Sequence, residues 1–317
     1  MTARRTTRLA PSPTGALHLG NARTFLLNWL LARQRGWAVR FRMEDLDGPR
    51  VKLGADQQAI DELTWLGLDW DGPVARQSDR GEAYQQALRQ LIDRDLAYPC
   101  TCSRKDIEQA SSAPHAEDGP MVYPGTCRDR WPSPEAAQAE TGRPVAWRLR
   151  VEDRPMTFDD AFAGPQTFNL AETCGDFVIF KNDGLAAYQL AVVVDDEEAG
   201  IDAVVRGEDL LESTARQLHV RRHLGMTGEV AYWHLPLVIG EDGRRLAKRH
   251  GDTRLTTYIQ AGVTRERLMG LLAAWSGQLP ERKEIALPDL LERFDVEAIP
   301  REPIVFTAED DRWLRGE

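Results

Sequence analysis

Cysteine is scarce: only Cys100, Cys102, Cys127 and Cys174 occur among 317 residues. In a chain of this size that excludes a disulfide framework and makes metal binding the better question. No apolar run reaches the roughly 20 residues that a membrane helix needs. The opening Met-Thr-Ala-Arg-Arg-Thr-Thr-Arg lacks the apolar centre of a secretory signal. A cytoplasmic protein with no membrane partner is therefore expected. An excess of positive charge is missing too, since 40 Lys and Arg stand against 50 Asp and Glu for a net charge of −10. That argues against broad coating of nucleic acid but leaves local RNA contact open. There is no internal repeat or low-complexity tract. What remains, 42% hydrophobic and 28% charged residues, suits one large or two modest globular domains.

The densest information lies in Arg8-Leu-Ala-Pro-Ser-Pro-Thr-Gly-Ala-Leu-His18-Leu-Gly20-Asn21. It reads as a short strand, a Pro/Gly turn and the start of an amphipathic helix marked by Phe25, Leu26, Trp29 and Leu30. His18, Gly20 and Asn21 then sit at a helix N-terminus, where unpaired N–H groups and the helix dipole favour a phosphate. Gly20 lets a nucleotide approach the backbone.

Strands over 6–9 and 38–43 flank a helix of about 20–35, a βαβ unit with a parallel pair. Further helices are expected from the patterns at Ala59–Leu66 and Ala83–Leu96. Between Tyr98 and Gly175 the periodicity fades, Gly, Pro and Ser become frequent, and three cysteines cluster. This interval reads as an insertion. Regular structure resumes with a strand at Phe177–Phe180, a hairpin turn at Lys181–Gly184, where Asp-Gly supplies positive φ, a strand at Ala203–Arg206 and a helix at Glu208–Leu224. A strand at Leu235–Ile239 and a turn at Glu241–Gly243 lead to a basic loop. Helices at Arg265–Trp275 and Leu287–Phe294 close the chain.

Four blocks carry a family resemblance. Pro11-Ser-Pro-Thr-Gly15 through His18-Leu-Gly20-Asn21 resembles the HIGH signature of class I aminoacyl-tRNA synthetases of the glutamate branch. Phe41-Arg-Met-Glu44-Asp-Leu-Asp47, Val205-Arg206-Gly207-Glu208-Asp209 and Arg245-Leu-Ala-Lys248-Arg249-His250-Gly251 follow in family order, the last resembling the KMSKS loop. The resemblance implies an α/β Rossmann-like fold. Residues 1–97 and 176–251 form the halves of the catalytic domain, 98–175 an inserted acceptor-type subdomain, and 252–317 a helical, stem-contact-like region and tail. It implies amino-acid activation: a substrate carboxylate attacks the α-phosphate of ATP, supplied with Mg2+, and displaces pyrophosphate. Orientation and charge neutralisation dominate such chemistry. His18 and Lys248 are the implied catalytic residues, and Gly20, Asn21 and Arg245 join them in holding ATP. The KMSKS match is imperfect, with Arg245 for the first lysine and Ala247 for the serine, so Lys248 carries more weight than Arg245.

By the same resemblance Arg8, Ala10, Ser12, Glu44, Tyr188 and Arg206 fill glutamate-binding positions. An arginine can pair bidentately with a carboxylate, Glu44 can take the α-ammonium, and a guanidinium pocket disfavours glutamine. Cys100-Thr-Cys102 with Cys127 can reach a tetrahedral zinc centre. The Cys-x-Cys…Tyr-x-x-x-Cys arrangement resembles a zinc site in which Tyr123 is the fourth ligand, with His115 as the rival. One structural zinc is implied, and Cys174 is expected to be a core residue.

The early end of the chain, the tyrosine in the cysteine cluster and the glutamate pocket together resemble a truncated paralogue family, the glutamyl-queuosine tRNA(Asp) synthetases. That resemblance implies tRNA-independent activation of L-glutamate and transfer to queuosine at the wobble position of tRNA(Asp). The active site would face an anticodon stem-loop, no anticodon-binding domain would follow, and a monomer is expected. Three alternatives stay open: a short glutamyl-tRNA synthetase charging a 3′ end, a cytidylyl- or adenylyltransferase, and a non-catalytic paralogue that binds glutamate or RNA.

Overall fold

The computed structural model describes residues 4–46, 51–111, 122–244, 246 and 252–317. Strands β1 (Thr6–Leu9) and β2 (Ala38–Met43) run parallel, Thr6 opposite Ala38 and Leu9 opposite Phe41, and helix α1 (Leu19–Gln34) crosses between them. After α2 (Ala55–Trp65), strand β3 (Val74–Arg76) pairs parallel with β2. The expected βαβ unit is present.

Helix α3 (Gly81–Asp93) leads into an antiparallel sheet of β4 (Ala97–Cys100), β5 (Ala146–Leu149) and β8 (Phe177–Phe180). Helices α4 (Arg104–Ser111) and α5 (Pro134–Thr141) lie between β4 and β5. A hairpin of β6 (Pro155–Asp160) and β7 (Gly164–Asn169), then α6 (Leu170–Thr173), precede β8. The hairpin belongs to the stretch between Tyr98 and Gly175, yet β6 pairs with β10 (Ala231–Leu235), which pairs parallel with β9 (Ala203–Gly207). It therefore extends the parallel sheet of the second half. The halves meet where Asp202 N–H donates to Thr6 O at 3.1 Å and Thr6 N–H donates to Asp202 Oδ1 at 2.7 Å. Helices α7 (Tyr188–Glu198) and α8 (Leu211–His223) pack on each other, and a short parallel pair of β11 (Val238–Ile239) and β12 (Ile304–Val305) joins the remaining helices α9 (Leu255–Gln260), α10 (Arg265–Trp275), α11 (Leu287–Arg293) and α12 (Ala308–Arg315) to the sheet.

Several expectations need correction. Helix α1 is not amphipathic: Leu19, Ala22, Leu26, Leu27, Leu30 and Leu31 are buried, and even Arg23 is wholly enclosed. It lies between the sheet and the C-terminal helices α10 and α11, so apolar residues are needed around most of its circumference. The strand expected at Leu235–Ile239 instead ends at Leu235, where Pro236 has no N–H to continue the ladder. The helix expected from Glu208 opens with a tight three-residue turn, Glu208–Leu210, before α8 begins. Helix α7 was hidden because its Leu-Ala-Val-Val-Val run is β-branched and buried throughout. The tail holds α12, closed at its start by a capping box in which Thr307 and Asp310 satisfy each other's N–H groups.

Gly175 joins the inserted region to the sheet. Its φ is +64°, and a Cβ there would lie 2.5 Å from Tyr123 O. The Gly175→Ala variant is expected to lose about 2 kcal/mol or more of stability, seen as a lower midpoint in urea unfolding; an unchanged midpoint would refute the close approach.

Candidate functional site

A cleft of about 820 Å³ opens along the C-terminal ends of β1, β2 and β9, and its walls include Arg8, Ala10, Ser12, His18, Gly20, Asn21, Glu44, Tyr188 and Arg206. Every described residue expected to bind nucleotide or amino acid is brought together there. Arg245, Lys248, Asp47 and His115 lie outside the described residues. Such a crevice beyond the carboxyl ends of parallel strands is where open α/β sheets take ligands.

His18 is the N-cap of α1. Its backbone is extended, and its ring Nδ1 accepts the N–H groups of Gly20 at 3.1 Å and Asn21 at 3.3 Å. Asn21 Oδ1 accepts His18 N–H in return at 3.3 Å. Because Nδ1 accepts, the neutral ring carries its proton on Nε2. A Cβ at Gly20 would lie 3.0 Å from His18 Cε1, so the glycine makes room for the ring to fold over the turn.

The basic loop is anchored on both sides. Before it, Gly240 N–H donates to Arg244 O at 2.8 Å and Leu246 is buried in the core. After it, Leu19 N–H donates to Thr253 O at 3.0 Å and Leu255 N–H to Leu17 O at 2.8 Å, so the returning chain brackets His18. Arg23, one turn into α1, donates from Nη1 to Pro236 O at 2.7 Å and from Nε to Ser276 Oγ at 3.2 Å. Burial pulls its pKa down to about 10, with Glu208 opposing.

The inner wall is a set of buried opposite charges. Arg42 Nη1 donates to Asp196 at 2.5 Å and Nη2 to Glu44 at 3.0 Å, while Arg42 Nε stands 3.7 Å from Asp195. Arg8 Nε lies 3.4 Å from Asp196. Burial opposes the charge of Arg42, but Asp196, Glu44 and Asp195 together hold it above its ordinary value. Burial pushes Glu44 up, against the pull of Arg42 and Arg8. Burial would raise Asp196 as well, but Arg42 and Arg8 hold it below the usual carboxylate range. Asp195 is tied down separately by Tyr84 Oη at 2.9 Å, Gln77 Nε2 at 2.8 Å and Arg80 Nε at 2.7 Å.

Arg206 is held differently. Its Nε donates to His234 Nε2 at 3.0 Å, and its Nη2 to Thr214 Oγ1 at 2.7 Å and Gln217 Oε1 at 2.9 Å. Among the described residues, Arg206 Nη1, Arg8 Nε and Arg42 Nε of this wall are buried without a hydrogen-bond partner. Arg8 Nε and Arg42 Nε stand 3.4 Å and 3.7 Å from the carboxylates of Asp196 and Asp195, which leaves Arg206 Nη1 as the costly unmade donor. Tyr188, at the start of α7, lines the cleft with part of its surface open to it, while desolvation of its hydroxyl among the cleft walls, with Glu44 nearby, raises its pKa.

Sequence reasoning missed Arg42, Asp195, Asp196, His234 and Asp160. A signal existed for two of them. Asp195 and Asp196 directly follow Val-Val-Val, and carboxylates on a buried helix need cationic partners.

The cysteine cluster stands apart from the cleft. The Sγ atoms of Cys100, Cys102 and Cys127 lie within 4.8 Å of one another. Tyr123 Oη is 3.5 Å from Cys100 Sγ and 3.8 Å from Cys102 Sγ, and accepts Cys127 N–H at 2.9 Å. Arg148 Nε donates to Cys100 Sγ at 3.2 Å, with its guanidinium 3.7 Å from the Tyr123 ring centre. The hydrogen bond from Cys100 pulls the Cys127 thiol down to about 6 despite burial. Cys174 is half-buried, donates to the backbone carbonyls of Leu170 and Gly175, and packs against the apolar residues around β8 and α7, consistent with its expected packing role.

Fold and cleft define a class I synthetase catalytic domain: the family profile "tRNA synthetases class I (E and Q), catalytic domain" matches residues 5–310. The chain is 45% identical to a glutamyl-Q tRNA(Asp) synthetase of Rhodopirellula baltica, over 94% of this chain and 95% of that one. It is 44% identical to a protein of the same name from Symbiobacterium thermophilum, over 98% of each. It is similar in structure to a glutamate tRNA ligase from Elizabethkingia meningosepticum in complex with its amino acid, with TM-score 0.81 and 28% identity, over 98% of this chain and 68% of that one. The chain belongs to the glutamyl-Q tRNA(Asp) synthetase family of ligases. Among the described residues no helix is long and apolar enough to cross a membrane.

Because Asp196 is depressed in the folded protein, its stabilisation is full above the unfolded carboxylate value of about 3.9 and is lost as pH falls through the folded value. Asp196→Asn is expected to cost on the order of 3 kcal/mol at neutral pH, with the gap to wild type narrowing on acidification. Urea unfolding at both pH values checks this; a gap that does not depend on pH would sink the assignment.

Proposed function

We propose that the protein activates L-glutamate with ATP in the absence of tRNA, forming glutamyl-adenylate, and transfers the glutamyl group to queuosine at the wobble position of tRNA(Asp). The observation that carries the reading is the inner wall of the cleft, where Arg206 Nη1 is buried without a partner and Arg8 lines the same cleft beside Glu44. The names of the relatives, glutamyl-Q tRNA(Asp) synthetase, supply the acceptor. In this reading Arg8 and Arg206 pair with substrate carboxylate, Glu44 takes the α-ammonium, and Tyr188, Ala10 and Ser12 shape the cavity. The α-carboxylate attacks the α-phosphorus, the bond to the bridging oxygen breaks, and pyrophosphate leaves with its Mg2+. His18 Nε2–H donates to phosphate oxygens over the N-terminus of α1, where Gly20 and Asn21 lie. Lys248 and Arg245 close on the leaving pyrophosphate from a loop whose ends are anchored at β11 and beside His18. The enzyme acts as a monomer in the cytoplasm, where it meets the anticodon stem-loop.

Cys100, Cys102, Cys127 and Tyr123 would hold one zinc. Zn–S bonds of about 2.3 Å set tetrahedral S–S edges near 3.8 Å, which the spread of the three Sγ atoms, up to 4.8 Å, can meet. The shared hydrogen bond holds the Cys127 thiol below its ordinary value and Cys100 above, so a bound metal would displace the proton that the two sulfurs share. Four protein ligands leave no open position, so the ion would pin the inserted region rather than take part in the reaction.

Purified protein is expected to catalyse glutamate-dependent ATP–pyrophosphate exchange without tRNA; no exchange would end the enzymatic reading. Labelled glutamate is expected on tRNA(Asp) from queuosine-producing cells, but not from cells unable to make queuosine, and to survive removal of the 3′-terminal adenosine. Loss of label on that removal would favour acceptor-end charging, the reading suggested by the likeness to glutamate tRNA ligase.

Asparagine caps helices well, so His18→Asn is expected to melt close to wild type while exchange falls about 100- to 1,000-fold; near-normal turnover would remove His18 from the mechanism. Metal analysis is expected to find one zinc per chain, diminished in Tyr123→Phe and kept in His115→Ala. The reverse pattern would make His115 the fourth ligand, and substantially less than one zinc in wild type would refute the site.

A further inference from the structure

Arg8 and Arg42 face carboxylates, but Arg206 does not. Among the described residues every hydrogen-bond partner of its guanidinium is a neutral acceptor: His234 Nε2, Thr214 Oγ1, Gln217 Oε1 and, at 3.4 Å, Leu210 O. Among the described residues no carboxylate lies within ion-pair distance of it. His234 can serve as an acceptor only if its ring proton is on Nδ1. Asp160 enforces this, taking Nδ1 at 2.6 Å in a pair whose side chains are both wholly buried. Asp160 is itself fixed by the N–H groups of Ala163 at 2.7 Å, Phe162 at 2.9 Å and His234 at 3.2 Å. The backbone register sets the relay: His234 stands opposite Arg206 across β10 and β9, and Tyr232 opposite Asp160 across β10 and β6.

We propose that Asp160, His234 and Gln217 are positioning residues that hold Arg206 through neutral acceptors only, so that no directly paired carboxylate competes with a substrate carboxylate for it. The relay occupies Nε and Nη2 and leaves Nη1, the buried atom without a partner, for the ligand. A carboxylate in place of His234 or Gln217 would grip the guanidinium more tightly but would also neutralise it. The pocket would then lose the preference for an anion over its neutral amide, since a paired arginine offers little extra to a carboxylate. The hairpin β6–β7 thus contributes to substrate choice through Asp160, although it touches no substrate.

This inference rests on the reading that Arg206 receives glutamate, and the test separates the two. Glutamate-dependent ATP–pyrophosphate exchange is measured for wild type, Gln217→Glu, His234→Phe and His234→Gln, with KM for glutamate, KM for ATP, and glutamine as competing substrate. Gln217→Glu keeps an acceptor on Nη2 but adds the forbidden charge. It is expected to raise KM for glutamate about tenfold or more, leave KM for ATP within about twofold, and erode discrimination against glutamine. His234→Phe adds no charge but frees Nε, so it is expected to raise KM for glutamate through lost positioning, and His234→Gln, whose amide oxygen can accept from Nε, to recover most of the loss. If wild type exchanges glutamate and Gln217→Glu keeps its KM and selectivity, the proposal is overturned while the glutamate reading stands. If KM for ATP rises in step, the effect is general distortion and the proposal likewise fails. If wild type shows no glutamate-dependent exchange, the reading falls and the proposal with it. Gln217→Glu decides the matter even should His234→Phe fail to fold.

Discussion

The structure depends on a buried arrangement of opposite charges at one end of its central sheet. Arg8 from β1, Arg42 from β2 and Arg206 from β9 are almost wholly enclosed. Taking such groups out of water costs several kcal/mol each, so each must find compensation, and the fold supplies it from elsewhere in the chain. Asp195 and Asp196 arrive on α7, well over a hundred residues from the arginine they hold. Strand order, the placement of α7 and the direction of the cleft are bound to one another through these contacts. Helix α7 cannot shift without stranding a charge, and the joined halves of the sheet hold Arg8 and Arg206 near each other against their mutual repulsion.

Around that cluster the compensation is uneven. Arg42 is surrounded by three carboxylates and serves as the keystone of the wall. Arg8 shares Asp196 at a longer distance, and Arg206 has only neutral partners. The least compensated positive charge therefore lies on Arg206, in the inner wall of the cavity. At the other end, His18 closes the first turn of α1 with its own ring, spending Nδ1 on backbone N–H groups so that Nε2 carries the proton. The chain returning from the basic loop pairs on either side of that same residue. The start of α1 and the chain that follows the basic loop are thus tied together at His18.

Much of this was legible in the sequence. The fourteen residues from Arg8 to Asn21 announced strand, turn and helix start, because proline, glycine and a capping side chain act on their immediate neighbours. Arg8, Glu44, Tyr188 and Arg206 could be placed in one pocket through the family resemblance, and the cleft contains all four. The cysteines and Tyr123 converge as expected. Local patterns failed where burial overrode them. Helix α1 hid its second apolar face because α10 and α11 cover it, and α7 looked unlike a helix because its β-branched run is stabilised by packing.

By itself, then, the sequence determined what depends on short range: turn positions, helix starts, the spacing of thiols, and the residue types able to meet an anion. Tertiary structure alone decided which charge meets which. That Arg42 is neutralised while Arg206 is not follows from strand register and from where α7 and the β6–β7 hairpin come to rest. Coulombic compensation in a buried site acts over a few ångströms of space and is indifferent to separation along the chain.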